Sequence, residues 1–157
     1  MLLHKTFLPE LTVIGLEAKN KDEAFQEMTD KFCQIKNPDS REEILAALWE
    51  REQKMSTGIK KGIAIPHGTS SALDHVQGVL GISQKGIEYN ALDGQPVYLL
   101  FMILAPKGDS EIHLRLLRRL AMLIDNSQFY TELLAQKDPQ RVNEIIKRYE
   151  DTCIPSN

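Results

Sequence analysis

At residues 97–104 the sequence reads VYLLFMIL, a run without a charged side chain. A short, continuously apolar run is typical of a strand that is buried on both faces of a sheet. It is shorter than the roughly 20 apolar residues that a membrane-spanning helix needs, so no transmembrane helix is predicted. Upstream, Asp93-Gly94 is a turn signal, and residues 76–82 alternate like a second strand. The centre of the chain is therefore predicted to form strands of a sheet.

The sequence before these strands predicts two helices. The first covers about residues 22–37 and ends near Pro38, because the residue before a proline is pushed out of the helical region. The second covers about residues 40–53, and Ser40 and Glu43 at its start have the spacing of a capping box. The first helix has apolar side chains at spacings of three and four: Phe25, Met28, Phe32 and Ile35.

The sequence after the strands predicts two more helices. One covers residues 113–124, and the other begins at Asp138-Pro139, since proline is tolerated in a first turn. The predicted inward side chains are Leu114, Leu117, Ala121 and Ile124 of the first and Val142, Ile145, Ile146 and Tyr149 of the second. Helices on both sides of the strands indicate an α/β domain, with a central sheet that helices cover.

Length and charge limit the architecture and the partners. The chain has 157 residues, Lys+Arg 19 against Asp+Glu 22, and a formal net charge of -3. This length fits one domain over residues 1–157, and the lack of a basic block disfavours nucleic acid as a partner. The amino terminus lacks the apolar core of a signal peptide, and Cys33 and Cys153 are too few for a disulfide framework. A cytoplasmic protein with reduced thiols is predicted.

His67 is the most constrained of the four histidines. It follows the β-branched run of residues 63–65 and lies between Pro66 and Gly68, in what is predicted to be a turn after a strand. Proline fixes its own φ and glycine permits close approach, so this stiff context fits a side chain that is positioned for chemistry. A histidine that merely caps a strand fits the same context.

The other histidines and Arg51 are less distinctive. His113 opens an apolar helix, where free N–H groups attract an anion, but an ordinary polar residue of a first turn fits as well. Arg51 lies between two glutamates on a predicted helix, which is typical of an exposed charged face. His4, near the chain end, and His75, in a polar turn, fit structural or solvated positions.

Other kinds of site find little support in the sequence. It contains neither a nucleotide-binding P-loop nor the Gly-x-Ser-x-Gly turn of a serine hydrolase. His67, His75 and His113 show no recognised zinc-ligand spacing. We therefore expect no metal and no cofactor, and a metal-dependent hydrolase that uses His67 and His113 stays a minor alternative.

Residues 55–68 read MSTGIKKGIAIPHG. This segment resembles the active-site segment of the mannitol/fructose-type enzyme IIA of the bacterial phosphoenolpyruvate-dependent phosphotransferase system (PTS), a family that includes nitrogen-regulatory IIA proteins. Glu50-Arg51-Glu52 upstream, residues 92–97 downstream and His113-Leu114 also match, in the family's order. The resemblance covers nearly the whole chain.

The resemblance implies a fold, a set of site residues and two partners. The fold is a mixed β-sheet with helices on its faces. His67 is implied to accept and pass on a phosphoryl group, with His113 and Arg51 beside it. Thr57, Gly58 and Gly68 are implied to bind the phosphoryl group. The implied donor is the histidine carrier protein HPr, and the implied acceptor in sugar systems is a IIB domain.

At one position the chain departs from the family pattern. The family reads Thr-Gly-Ile-Gly-x-Gly, and Lys60 stands where the second glycine is usual. A lysine there loses the freedom of glycine at positive φ and adds a charge beside the expected phosphohistidine. We expect it either to strengthen phosphate binding or to alter the choice of partner.

Two functions follow from the resemblance. The first is a phosphocarrier that takes a phosphoryl group from phospho-HPr and passes it to a sugar-specific IIB. The second is a nitrogen-regulatory protein, a switch whose phosphorylation controls its binding to a regulatory target protein. Both use His67, so the site by itself does not separate them.

Overall fold

The computed structural model describes residues 2–36 and 40–156. The helices are α1 (Leu3–Thr6), α2 (Lys21–Ile35), α3 (Arg41–Glu52), α4 (Ser110–Ile124), α5 (Ser127–Leu134) and α6 (Pro139–Cys153). The strands are β1 (Thr12–Ile14), β2 (Gly58–Lys60), β3 (Ile63–Ala64), β4 (His67–Ser70), β5 (Gln77–Ile87) and β6 (Val97–Pro106). None of the helices in the described ranges is long and apolar enough to cross a bilayer.

The strands form one mixed sheet in the order β1-β5-β6-β3-β2, and β4 also pairs with β6. β5 runs antiparallel to β6, whereas β3 and β4 run parallel to it. β1 runs parallel to β5. The predicted fold class, an α/β fold with a mixed central sheet, is confirmed.

β6 is the central strand, and its side chains alternate between two apolar clusters. Leu99, Phe101 and Ile103 belong to one cluster, whereas Leu100 and Met102 belong to the other. Alternation by two places successive side chains on opposite faces of the sheet. The prediction that this strand is buried on both faces is confirmed.

The helices divide between the two faces. α2 and α3 contribute Phe25 and Leu48 to the cluster of Leu100, and α4, α5 and α6 contribute Leu120, Phe129 and Ile146 to the cluster of Phe101. α3 and α4 therefore lie on opposite faces of the sheet. Both pass near β4, which brings residues of both helices to the same edge.

Two details of the first helices differ from the prediction. Ile35, expected on the buried face of α2, is 42% exposed, because α2 ends there and its last side chain extends past the sheet. The predicted stop at Pro38 lies outside the described residues. Within the described chain the Ser40 side chain makes no capping bond, because the Ser40 backbone (φ -107°, ψ 9°) is not in the extended conformation of a capping residue. The Glu43 carboxylate accepts hydrogen bonds from Ser70 and Ser71.

The buried face of α4 is also rotated relative to the prediction. Of the four residues predicted to face inward, Ile124 is buried and Leu117 packs against the apolar cluster, whereas Leu114 and Ala121 are exposed. Leu116, Leu120 and Leu123 are buried as well. The apolar arc of this helix includes Ile112 and Leu114 as well as Leu116 and Leu120 and is wider than the face that meets the sheet, so spacing alone does not identify that face. The prediction for α6 is correct, because its predicted inward residues all belong to the apolar cluster or pack against it.

The predicted turn at His67 is a strand. Pro66 interrupts the edge of the sheet, because proline has no N–H for the ladder. Its carbonyl oxygen still accepts a hydrogen bond from the Ile103 N–H, at 2.9 Å. The chain continues extended, and β4 resumes pairing with β6 at His67, opposite Ile103. His67 is therefore held by a strand on a sheet edge.

Candidate functional site

His67 is the first residue of β4, and its ring is half-buried. Its Nδ1 lies 2.7 Å from the carbonyl oxygen of Ile65. A carbonyl oxygen can only accept a hydrogen bond, so Nδ1 carries the ring proton. The tautomer that follows has a free electron pair on Nε2, and Nε2 is the nucleophilic nitrogen of this ring.

Arg51 lies in the last turn of α3 and contacts that nitrogen. Its Nε–H donates to His67 Nε2, with 3.1 Å between the two nitrogens. Its Nη1 donates to the carbonyl oxygen of Met55 at 2.8 Å. The guanidinium is thus anchored on one side by the backbone and faces the imidazole on the other.

His113 approaches from α4, on the opposite face of the sheet. The centroids of the His67 and His113 rings are 5.1 Å apart and the rings are nearly perpendicular, at 87°. The Nε2 of His113 is buried and has no hydrogen-bond partner among the described residues. α4 begins at Ser110, three residues before His113, whose own N–H bonds to the Asp109 carbonyl. His113 therefore contributes its ring, and its N–H is already paired within the helix.

Both imidazoles are neutral at physiological pH. Burial lowers the pKa of His67, and the positive charge of Arg51 adds to this effect, although the Ile65 carbonyl opposes it. Burial, together with His67, lowers the pKa of His113 to about 4. A neutral ring at position 67 keeps its nucleophilic electron pair available.

The rings open into a pocket of about 230 Å³. Its lining comprises Ala47, Glu50, Arg51, Lys54, His67, Gly68, Thr69 and His113. Of the predicted site residues, the structure thus brings together His67, His113, Arg51 and Gly68. A Cβ at position 68 would lie 3.0 Å from the backbone carbon of Ala47 and 3.1 Å from the Leu48 nitrogen. Glycine at this position lets α3 approach β4 closely.

Thr57 and Gly58 lie away from the pocket. The Thr57 side chain is buried, and its N–H and hydroxyl donate to the Glu52 carboxylate. A Cβ at Gly58 would lie 2.7 Å from atoms of Tyr89 and Ala91. The described lining of the pocket includes neither residue.

Lys60 also lies away from the imidazoles, contrary to the expectation drawn from the family pattern. Its Nζ pairs with Asp125 at 2.7 Å, and Asp125 follows the last residue of α4. His113 stands near the opposite end of that helix, roughly 18 Å away at 1.5 Å per residue. Lys60 lies in a strand, and the positive φ belongs to the next residue, Lys61.

Four lining residues were not predicted as site residues from the sequence: Ala47, Glu50, Lys54 and Thr69. A helical signal was available for three of them, because Ala47, Glu50 and Lys54 lie at the spacing of one helix face with Arg51. The other histidines lie elsewhere: His4 Nδ1 contacts Glu150 at 2.7 Å, and the exposed His75 pairs with Asp74. The described residues contain no cluster of His, Cys, Asp and Glu that could hold a metal ion.

Comparison with known families identifies relatives of the whole chain. Residues 5–149 match the family described as "Phosphoenolpyruvate-dependent sugar phosphotransferase system, EIIA 2". The chain is 32% identical over 137 residues to the "PTS system fructose-specific EIIABC component" of Bacillus subtilis (strain 168), covering 87% of this chain. It spans only 22% of that longer relative. It is 31% identical over 138 residues to a "Nitrogen regulatory protein" of Bradyrhizobium diazoefficiens, covering 88% of this chain and 90% of the relative.

Solved structures share the fold. The nitrogen regulatory protein IIA-Ntr of Neisseria meningitidis superposes with a TM-score of 0.84 at 25% identity, over 92% of this chain and 98% of that one. The IIA of a complex between mannitol enzyme IIA and phosphorylated enzyme IIB of Escherichia coli superposes with a TM-score of 0.72 at 19% identity. That alignment covers 88% of this chain and 95% of the other, and at this identity it bears on the fold alone.

Proposed function

Because the chain belongs to the EIIA 2 family of the phosphoenolpyruvate-dependent sugar phosphotransferase system, we propose that it is a phosphocarrier that uses His67. In this proposal His67 Nε2 accepts a phosphoryl group from phospho-HPr and passes it to a IIB domain. Residues 1–157 act as a single EIIA domain in the cytoplasm. One observation carries the proposal: the Ile65 carbonyl holds the proton on Nδ1, so that Nε2 keeps its electron pair and directs it toward Arg51, in a pocket that His113 also lines.

The transfer step requires a change at Arg51. The Nε2 electron pair that accepts the Arg51 hydrogen bond is the pair that attacks phosphorus. As the new N–P bond forms, the N–P bond of the donor histidine breaks, and its electron pair returns to the donor ring. Arg51 releases Nε2 in this step, and its guanidinium then faces the oxygens of the phosphoryl group. Throughout the transfer Nδ1 keeps its proton, which stays hydrogen-bonded to the Ile65 carbonyl oxygen.

Charge stabilisation comes from groups already in the pocket. Phosphoryl transfer needs positioning and donors for the equatorial oxygens more than covalent help from the protein. Arg51 and Lys54 supply positive charge, and His113 supplies a buried ring nitrogen that has no partner in the described residues. A phosphoryl oxygen on His67 would give that nitrogen a partner once it carries the proton. The pocket is open and holds few donors, so the group is not trapped.

The surroundings of the pocket fit a protein partner. Ile112 and Leu114, on either side of His113, are 37% and 52% exposed, and Met55, whose carbonyl holds Arg51, is 58% exposed. Exposed apolar side chains next to a reactive group are typical of surfaces that bind another protein. The donor and acceptor are proteins in this proposal, since small substrates would not need such a rim.

The labelling experiment tests the role of His67 directly. The protein is incubated with phosphoenolpyruvate, enzyme I and HPr, and the modified residue is located by mass spectrometry. We expect one phosphoryl group on wild type and none on His67→Ala. His75→Ala is the matched control, because His75 is an exposed histidine paired with Asp74, and it should label like wild type. Full labelling of a folded His67→Ala protein would refute the assignment.

A second candidate function is the regulatory switch, which the nitrogen-regulatory relatives favour. A switch protein is phosphorylated in the same way but passes its phosphoryl group to no IIB domain. Adding candidate IIB domains to the purified phosphoprotein separates the two functions. Rapid loss of label to a IIB supports the carrier, whereas a label that stays on His67 with every IIB supports the switch.

A further inference from the structure

We infer that Glu52 is a positioning residue for the proposed phosphoryl transfer. Through Thr57 it fixes the loop of residues 53–57, and this loop holds Arg51 against His67. The inference rests on the proposed function for its kinetic consequence, but the geometry it describes can be measured without any transfer.

The Glu52 carboxylate is almost completely buried, with 2% of the side chain exposed. Its Oε1 accepts the Thr57 N–H at 2.9 Å, and its Oε2 accepts the Thr57 hydroxyl. Lys21, the first residue of α2, pairs with Oε1 at 2.9 Å. A buried carboxylate is costly unless it is both paired and hydrogen-bonded. Glu52 meets both conditions, and two of its bonds hold the end of the loop.

Tyr89 completes this buried network. Its hydroxyl lies 2.7 Å from Thr57 Oγ1. The single Thr57 hydroxyl proton is used toward Glu52, so the Tyr89 hydroxyl donates to Thr57. Burial raises the pKa of Tyr89, which keeps the phenol protonated and able to donate. The Lys21 ammonium stands 4.8 Å from the centroid of the same ring.

The loop connects this network to the pocket. Glu52 and Arg51 are neighbours at the end of α3, but Glu52 points into the core and Arg51 into the pocket. Arg51 Nη1 donates to the Met55 carbonyl, in the middle of the loop, while its Nε donates to His67. If the bonds between Thr57 and Glu52 were lost, the loop could move and the Met55 carbonyl would move with it. The Arg51 guanidinium would then lose its backbone anchor.

This network accounts for Thr57 without direct contact to phosphate. Thr57 was predicted to bind phosphate, but its hydroxyl is buried and bonded to both Glu52 and Tyr89. Its influence on the reaction passes through Arg51.

The test uses a pair of variants that differ in one hydroxyl. Thr57→Val keeps the shape and removes both hydroxyl bonds, whereas Thr57→Ser keeps the hydroxyl. Two quantities are measured: the NMR resonance of the Arg51 Nε–H, and the single-turnover rate of labelling by phospho-HPr. We expect Thr57→Val to shift or broaden the Arg51 resonance and to slow labelling roughly fivefold, because of the two bonds lost only the bond to Glu52 ties the loop to α3. Thr57→Ser should stay within about twofold of wild type.

Thr29→Val is the matched control, because Thr29 is also buried but its hydroxyl has no partner among the described residues. It should leave the resonance and the rate unchanged. Should Thr57→Val fail to fold, Tyr89→Phe removes the second bond to the hydroxyl and is expected to shift the same resonance.

Several outcomes would overturn the inference. One is a folded Thr57→Val protein with the wild-type Arg51 resonance and rate, and another is a Thr57→Ser protein that behaves like Thr57→Val. If wild type accepts no label at all, the proposed function fails, and the Arg51 resonance of the same variants still decides whether Glu52 and Thr57 position the guanidinium.

Discussion

At the scale of single residues, the site depends on keeping two neighbouring imidazoles neutral. Burial lowers the pKa of both rings. The positive charge of Arg51 lowers the pKa of His67 further, and His67 lowers that of His113 further. For His67 this preserves a nucleophile. For His113 it leaves a buried ring nitrogen that has no hydrogen-bond partner among the described residues, and in the proposed transfer a phosphoryl oxygen becomes its partner.

The same shifts predict how stability depends on pH. His113 has a pKa of about 4 in the folded chain, against 6.5 for the unperturbed group. As pH falls, His113 therefore takes up a proton in the unfolded chain before it does so in the folded chain. The free energy of unfolding is not reduced by this group above about pH 6.5, and it decreases as the pH falls from about 6.5 to about 4. We expect His113→Gln to lose less stability than wild type over this window, by roughly 1 kcal/mol because the ring is partly exposed. Urea unfolding at pH 7.5 and pH 4.5 measures the difference. His75→Gln should follow wild type, and an unchanged pH dependence in His113→Gln would contradict the pKa shift.

At the scale of elements, the site is made where β4 and α3 meet and where the first turns of α4 reach them. Arg51 comes from α3 and His113 from α4, on opposite faces of the sheet. His67 lies on the edge strand between them. The separation of α3 from β4 therefore sets the distance between Arg51 and His67, and Gly68 permits the short separation that is seen.

Gly68→Ala tests this contact. The added methyl group would lie 3.0 Å from the Ala47 backbone, which cannot move aside as a side chain would. We expect α3 to be displaced from β4, the protein to be destabilised by about 1–3 kcal/mol, and labelling by phospho-HPr to slow because Arg51 moves away from His67. Chemical unfolding and single-turnover labelling provide the two measurements. A variant that is destabilised but labels at the wild-type rate would show that this separation does not set the Arg51 position.

At the scale of the whole molecule, Glu150 joins the ends of the chain. It lies in α6 and is 2% exposed. It accepts hydrogen bonds from the Leu3 and His4 backbone N–H groups and from Arg119 of α4. Burial alone would raise the pKa of Glu150, but these bonds, with that from the His4 ring, outweigh it and lower the pKa. One carboxylate thus fastens α1, α4 and α6 together.

Glu150→Gln should destabilise the protein by about 3 kcal/mol, because it leaves Arg119 partly buried without its partner. The folded-state pKa is lowered, so the stabilising effect of Glu150 is present above its unperturbed value of 4.5 and is lost as pH falls. Thermal unfolding at pH 7 and pH 3.5 should show a smaller loss at low pH for the variant than for wild type. Asp151→Asn, which breaks an exposed pair with Lys147 in the same helix, should cost less than about 1 kcal/mol. A variant as stable as wild type at pH 7 would contradict this role.

Helices, strands and the histidine that we propose to be reactive could be identified from the sequence by itself. Periodicity reports which side chains a single element buries, and the motif around His67 is contiguous, so both are properties of local sequence. The predicted α2, α3, α6 and β6 agree with the structure, and the resemblance to enzyme IIA is confirmed by the family match over residues 5–149.

Other features depended on contacts between distant segments, which only the tertiary structure decided. The buried face of α4 was set by the sheet it meets, since Leu114 and Leu116 are equally apolar. β4 formed a strand because β6 offered it a partner past Pro66. Thr57 bonds to Glu52 and Lys60 pairs with Asp125, and both contacts keep these residues away from the pocket. The residues next to Thr57 and Lys60 in the sequence do not indicate these partners. The physical reason is that burial and pairing in three dimensions depend on which elements become neighbours, and a linear motif contains no such information.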